Sequence, residues 1–184
     1  MVDDFINTMP NKNIQAEAAA SVYQDQLTKP SGSLGMLEEL AVFLAGWQNS
    51  ERPVIETAQA IIFAGNHGIC EQGVNPYPQE VTQLMVSNFE NGGAAMNQLC
   101  TLSGAELTVK PLSLDSPTQD FTQTKAMSMT ELLDAMSAGI KSVNRSANII
   151  LLGEMGIGNS TVSSALAASV FGGRVADWVG VGAG

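Results

Sequence analysis

Residues 153–161, near the end of the chain, combine glycines with a carboxylate, an amide and two hydroxyls in the order Gly-Glu-Met-Gly-Ile-Gly-Asn-Ser-Thr. They follow the apolar run 149–152 and precede a run of small residues, 163–170, that suits a helix. This order predicts a buried strand, a glycine-rich turn and a helix start. Unpaired N–H groups and the helix dipole favour an anion there. With Glu154 in the same turn, the segment predicts a phosphorylated substrate and acid–base or hydroxyl-binding chemistry.

The glycine spacing separates this segment from two familiar phosphate loops. A P-loop has a lysine between its last glycine and the following serine or threonine, but Asn159 occupies that position before Ser160, so the segment is not a P-loop. Its G-x-x-G-x-G spacing also differs from the dinucleotide fingerprint, which argues against a dehydrogenase-like domain. A tight connection without a ligand remains an alternative, in which Glu154 is a capping acid stabilised by the helix dipole.

Two further groups of residues are candidates for a site. His67 follows a predicted strand and either orients a hydroxyl, relays a proton or shapes the turn through a backbone bond. Tyr77, Pro78 and Met85 predict an apolar slot for a flat heteroaromatic base, because methionine adapts to ring faces. The alternative for Met85 is a core position on a helix whose predicted apolar face also carries Val81, Leu84 and Phe89.

The elements that must position these residues alternate between helices and strands. Strands are predicted at 58–64, 106–109 and 148–152, and helices at 14–28, 34–48, 80–91, 94–102, 128–145 and from the glycine turn to about 171. Ser33 is the predicted cap of the second helix. The alternation predicts an α/β fold, a three-layer Rossmann-like parallel sheet over 51–184 with an amino-terminal helical appendage at 1–50. Ligands of such sheets bind at the carboxyl ends of the strands.

Composition limits the classes of function. The chain has 184 residues, 45% of them hydrophobic, and a net charge of −10, which disfavours nucleic acid and anionic membrane as partners. Two cysteines and a start without a signal-peptide pattern predict a cytoplasmic protein. No uncharged apolar stretch reaches the ~18 residues of a membrane helix. The single histidine, His67, excludes a multi-histidine metal site within this chain.

Four segments, taken together and in order, resemble the nicotinate-nucleotide–dimethylbenzimidazole phosphoribosyltransferase family, which makes the lower nucleotide loop of cobalamin. The resemblance runs from about residue 27 to residue 184. It rests on 27–35 with Leu37 and Glu38, on 64–68, on 77–82 with Asn88, Phe89 and 92–95, and on 153–161.

The resemblance implies transfer of phosphoribosyl from nicotinate mononucleotide to 5,6-dimethylbenzimidazole, with inversion, to give α-ribazole 5′-phosphate and nicotinate. It implies a homodimer, and the chemistry requires no metal or other cofactor. It gives Glu154 a supporting catalytic role beside ribose and base. The substrate-binding residues that it implies are His67, Tyr77, Pro78, Met85, Met155, Gly156, Ile157, Gly158, Asn159, Ser160 and Thr161.

Two departures from the family pattern accompany the resemblance. Asn66 stands where the family usually has aspartate, which leaves any charge-dependent role of that loop in doubt. The family's main catalytic base is a glutamate in a later glycine-rich segment, before which this chain stops. We therefore expect an amino-terminal portion with little or no turnover alone. The alternative is a non-catalytic module that binds the mononucleotide or the benzimidazole.

Overall fold

The computed structural model describes residues 8–180, and the chain divides into two compact units after Glu56. The first unit contains helices α1 (Ile14–Asp25) and α2 (Met36–Gln48), which pack against each other. Asn13 caps α1, because its Oδ1 accepts the N–H groups of Gln15 and Ala16 at 2.9 and 3.0 Å. The cap of α2 is Gly35, with φ 53° and no side-chain bond, so the prediction that Ser33 caps this helix is wrong.

The second unit is an open sheet of three parallel strands in the order β2-β1-β3, with helices between them, so the predicted α/β class is confirmed. Its elements are β1 (Ala58–Ala64), a 3₁₀ turn (Gly68–Gln72), α3 (Glu80–Glu90), α4 (Ala95–Ser103), β2 (Glu106–Pro111), α5 (Met129–Ser142), β3 (Ile149–Met155), α6 (Asn159–Phe171) and a 3₁₀ turn (Val175–Asp177).

The central strand β1 forms the core of this unit. Ala60, Ile61 and Ala64 have no exposed surface, as expected for a parallel strand covered on both faces. Right-handed crossovers place α3 and α4 over one face and α5 over the other, because the step from β1 to β2 and the step from β2 to β3 run in opposite directions across the sheet. Gln59 fixes the end of α5, since its Nε2 donates to the Ser142 carbonyl at 2.9 Å.

The reversal of direction creates a topological switch point between β1 and β3. The chain passes from β1 to β2 on one side and then crosses to β3 on the other. In open α/β sheets the ligand crevice lies outside the carboxyl ends of the strands at such a point. The segments that follow the two strands here are 65–67 and 156–158.

Strand β3 is longer than the sequence indicated. It continues through 153–155, because these residues pair in register with 62–64 of β1. Gly153 and Glu154 therefore belong to the strand and not to the turn, which shortens to 156–158. Helices α1 and α5 end three residues earlier than predicted, at Asp25 and Ser142.

Candidate functional site

The turn 156–158 packs closely against the segment that follows β1. A Cβ atom on Gly156 would overlap the carbonyl oxygen of Gly65. Gly158 has φ 93°, and a Cβ atom there would lie 2.9 Å from the Cys70 sulfur. Both positions therefore require glycine for the packing of the two segments on each other, before any ligand is considered.

Both peptide groups that flank the Ile157 side chain are held by side chains from other elements. The Ile157 N–H donates to Oγ1 of Thr82 at 3.1 Å, and Thr82 lies on α3 with only 1% of its surface exposed. The Ile157 carbonyl accepts the Cys70 thiol proton at 3.3 Å. The turn thus has a fixed backbone, set by α3 and by the first 3₁₀ turn.

His67 connects the end of β1 to the start of α6. Its Nε2–H donates to Oδ1 of Asn159, the first residue of α6, at 2.6 Å. Gln79 holds the His67 backbone, because its Nε2 donates to the His67 carbonyl at 2.6 Å. The ring bond goes to a side-chain amide and not to a backbone carbonyl as the turn-shaping role predicted, and the role of His67 in a site stays a prediction.

Three backbone donors at the start of α6 have no partner among the described residues, although Gly158 is a buried residue while Ser160 is exposed. The backbone N–H groups of Gly158, Ser160 and Thr161 make no hydrogen bond to another residue within 8–180. The Ile157 N–H is occupied by Thr82, and the Asn159 N–H donates to the Gly156 carbonyl at 3.3 Å. The first turn of α6 carries no acidic residue, so the positive end of the helix dipole is not compensated there.

Glu154 lies apart from the predicted base slot. It is paired with Phe63 in the parallel register, and residues paired this way point to the same face of the sheet. That face also carries Gln59, which contacts the end of α5, whereas α3 covers the opposite face. The Glu154 side chain is exposed and makes no hydrogen bond or ion pair with another described residue.

Tyr77 and Pro78 line an open cleft of about 580 Å³ together with Cys70, Glu71 and Gln79. Tyr77 is 54% exposed, and Met85, on α3, is 39% exposed. Cys70 joins this cleft to the glycine turn, because the same thiol bonds the Ile157 carbonyl.

The buried face of α3 differs from the predicted one. It is formed by Thr82 and Val86, both 1% exposed, whereas Leu84 is 66% exposed. The sequence argument missed Thr82 because it followed apolar residues only. A threonine four positions before the buried Val86 was the available signal.

Another cleft, of about 390 Å³, lies where β1 and β2 end, against α5. Asn66, on its wall, donates from Nδ2 to the Leu114 carbonyl at 3.0 Å. An aspartate could not donate this bond, so the amide is suited to its structural contact. Asp120, in the loop after β2, was also missed by the sequence argument. Its carboxylate accepts bonds from Thr122 and Gln72, which hold its pKa below the ordinary value.

Residues 8–180 form neither a cluster of metal ligands nor a membrane-spanning helix. No cluster of three or more histidine, cysteine or acidic side chains there is arranged to hold a metal ion. No helix in that range has the length and apolar character needed to cross a membrane.

Comparison with known proteins gives consistent matches. A family model described as phosphoribosyltransferase matches residues 9–184. The nicotinate-nucleotide–dimethylbenzimidazole phosphoribosyltransferase of Rhodobacter capsulatus is 54% identical over 183 residues, which cover 100% of this chain and 55% of that protein. The Roseobacter denitrificans protein of the same name is 51% identical, with 100% and 54% covered. The crystal structure of CobT from Thermus thermophilus superposes with a TM-score of 0.81 at 34% identity, covering 92% of this chain and 57% of that one. The chain therefore spans about half the length of the curated relatives it matches.

Proposed function

Because this chain belongs to the phosphoribosyltransferase family, we propose that its glycine turn binds the 5′-phosphate of nicotinate mononucleotide. The observation that carries the proposal is the set of free N–H groups at Gly158, Ser160 and Thr161. They lie at the start of a 13-residue helix and beside the switch point of the sheet. An anion is favoured at such a helix start, and it needs no lysine or arginine side chain.

The proposed reaction is the one named for the relatives. A ring nitrogen of dimethylbenzimidazole attacks the anomeric carbon of nicotinate mononucleotide from the face opposite the nicotinate. The bond from that carbon to the nicotinate nitrogen breaks, its electron pair goes to the nitrogen, and the configuration inverts. A general base accepts the benzimidazole proton as attack proceeds.

The other predicted residues have supporting roles in this proposal. Tyr77 and Pro78 contribute to the slot for the acceptor base, and their open cleft reaches Cys70 at the glycine turn. Met85 lies three residues after Thr82, on the helix that contacts the turn. Met155 ends β3 and leads into the turn. Glu154 is proposed to accept hydrogen bonds from the ribose hydroxyls, since its exposed carboxylate has no partner among the described residues.

The proposal extends to assembly and compartment. We propose that the protein acts as a homodimer in the cytoplasm. Large exposed apolar side chains, such as Phe43 at 53% and Trp47 at 48% on α2, are typical of interaction surfaces. Cys70 and Cys100 are both free thiols, which suits a reducing compartment.

A proline substitution tests the phosphate site at one backbone atom. Ser160→Pro removes a free N–H in the first helical turn, where proline is tolerated, and Ser160→Ala keeps that N–H as the matched control. We expect the dissociation constant for nicotinate mononucleotide, measured by calorimetry, to rise about tenfold in the proline variant only, since a charge-assisted bond is lost.

The result has clear alternatives. Equal affinities in the two variants, with thermal melting showing both folded, would contradict the phosphate site. Preference for NAD over nicotinate mononucleotide would instead support a dinucleotide domain. Saturable binding without formation of α-ribazole 5′-phosphate, when both substrates are supplied, fits both the expected low turnover and a binding module, whereas robust product formation would contradict both.

A further inference from the structure

We propose that Thr82 is a positioning residue that fixes the glycine turn through the Ile157 N–H and thereby sets the affinity of the turn for phosphate. This inference rests on the proposed function for its ligand. The first part of the inference, that Thr82 fixes the turn, depends only on the contacts of Thr82 and not on the identity of the ligand.

The contact is a long-range bond between two elements. Thr82 Oγ1 lies 3.1 Å from the Ile157 nitrogen, although the residues are 75 positions apart in sequence. Thr82 is 1% exposed, so water does not compete for this hydroxyl. Loss of the hydroxyl would leave the Ile157 N–H without its acceptor in a part-buried position, which is costly.

The bond decides which donors of the turn remain for a ligand. It uses the Ile157 N–H, while the neighbouring N–H groups of Gly158, Ser160 and Thr161 stay free. Cys70 holds the carbonyl of the same residue, so the peptide planes on both sides of Ile157 cannot rotate independently of the helix and the 3₁₀ turn. The free donors are therefore presented in one arrangement, and binding need not order them first.

The same bond ties the turn to the proposed base slot. Met85 lies one helical turn beyond Thr82 on α3, with Val86 buried between the helix and the sheet. A shift of α3 would reach the glycine turn through this bond, and it would reach the start of α6 through Gln79, His67 and Asn159.

The test uses the full 184-residue chain and compares Thr82→Val with Thr82→Ser. Valine matches the threonine in shape but lacks the acceptor, and serine keeps it. Two quantities are measured for each protein: the hydrogen-exchange rate of the Ile157 amide by NMR, and the dissociation constants of nicotinate mononucleotide and nicotinate riboside by calorimetry. The ratio of these constants reports the contribution of the phosphate.

We expect Thr82→Val to speed exchange at Ile157 at least tenfold while the Ile61 amide of β1 is unchanged. We expect it to lower the preference for the mononucleotide about tenfold, and we expect Thr82→Ser to restore both. A purely structural role would weaken both ligands in parallel and leave their ratio unchanged, which would overturn the phosphate half of the proposal.

Two other outcomes separate this proposal from the proposed function. Unchanged exchange at Ile157 in Thr82→Val would overturn the role of Thr82, whatever the chain binds. If Thr82→Val speeds exchange at Ile157 but the parent chain binds neither the mononucleotide nor the riboside, Thr82 fixes the turn and the proposed function is contradicted. If Thr82→Val does not fold, the comparison moves to the parent chain, where slow exchange at Ile157 relative to Ser160 and Thr161 supports the contact and equal rates refute it.

Discussion

Two glycine-containing turns of this chain, 29–35 and 156–158, hold their shape by different means. Gly32 and Gly35 have positive φ angles, yet a Cβ atom on either would meet nothing within 4 Å. That turn is held by Glu38, whose carboxylate accepts the Lys29 ammonium at 2.7 Å and the Leu34 N–H at 3.1 Å. The later turn has no ion pair among the described residues, and its glycines are enclosed by backbone and by the Cys70 thiol.

The difference shows why a glycine-rich sequence alone does not indicate a phosphate site. In the first turn the nearby cation, Lys29, is paired internally with Glu38 and not directed at a ligand. In the second turn Thr82 accepts the Ile157 N–H and Cys70 donates to the Ile157 carbonyl. The N–H groups that follow Ile157, at Gly158, Ser160 and Thr161, are left without a partner among the described residues. Available donors come from the packing around the glycines and not from the glycines themselves.

Substitution of a glycine by alanine is expected to give the largest difference in stability between the two turns. Gly156→Ala places a methyl group against the Gly65 carbonyl oxygen, which is backbone and cannot move aside easily, and 2.7 Å from the side-chain Oδ1 of Asn159. We expect the free energy of unfolding, measured by urea titration, to fall by about 3 kcal/mol. Gly32→Ala is the control, with only backbone strain at φ 72° and an expected loss of about 1 kcal/mol. Equal losses would mean that close packing does not distinguish the turns.

Substitutions at Gly158 and Cys70, made singly and together, test whether the thiol restricts the later turn. Gly158→Ala combines a positive φ with a contact 2.9 Å from the Cys70 sulfur, and we expect a loss of about 2 kcal/mol. In a Cys70→Ala background the sulfur is absent and only the strain remains. The second loss should then be smaller by about 1 kcal/mol. Additive losses in this cycle, measured by urea unfolding, would show that the thiol does not restrict Gly158.

The smallest effect concerns the charge that holds the first turn. Hydrogen bonding from Lys29 and from the Leu34 N–H holds the pKa of Glu38 below its ordinary value of 4.5. A carboxylate whose pKa is lowered by folding stabilises the folded state when the pH is above its pKa in the unfolded chain. This stabilisation is lost as the pH falls through its pKa in the folded protein. Lys29→Met should therefore reduce the loss of unfolding free energy as the pH falls from the ordinary glutamate value of 4.5 through the lower pKa of folded Glu38. The same pH dependence in Lys29→Met and the parent chain would exclude the ion pair as its source.

The sequence predicted the features that depend on local pattern. The apolar run of β1 predicted its bounds, 58–64, correctly, because a strand covered on both faces is apolar throughout. The Ser128–Glu131 capping box correctly marked the start of α5. Family resemblance carried the assignment of the chain, which the comparisons confirm.

The features that escaped prediction depend on contacts between distant residues. Gly153 and Glu154 have turn-like character, yet pairing with β1 extends the strand through them. The four-residue spacing of Thr82 and Val86 could have indicated a shared buried face, but it could not indicate the bond to Ile157, because that partner lies 75 residues away. Likewise, the pairing of His67 with Asn159 became visible only when the two loops were placed side by side.

The proposed role of the backbone donors beside the last strand is to hold a sugar phosphate. The most direct measurement is an NMR titration of the ¹⁵N-labelled chain with nicotinate mononucleotide, following every assigned amide. We expect saturable shifts that are largest at Gly158, Ser160 and Thr161 and absent at Gly32 and Gly35. No saturable shift, or shifts centred on 29–35, would contradict this role.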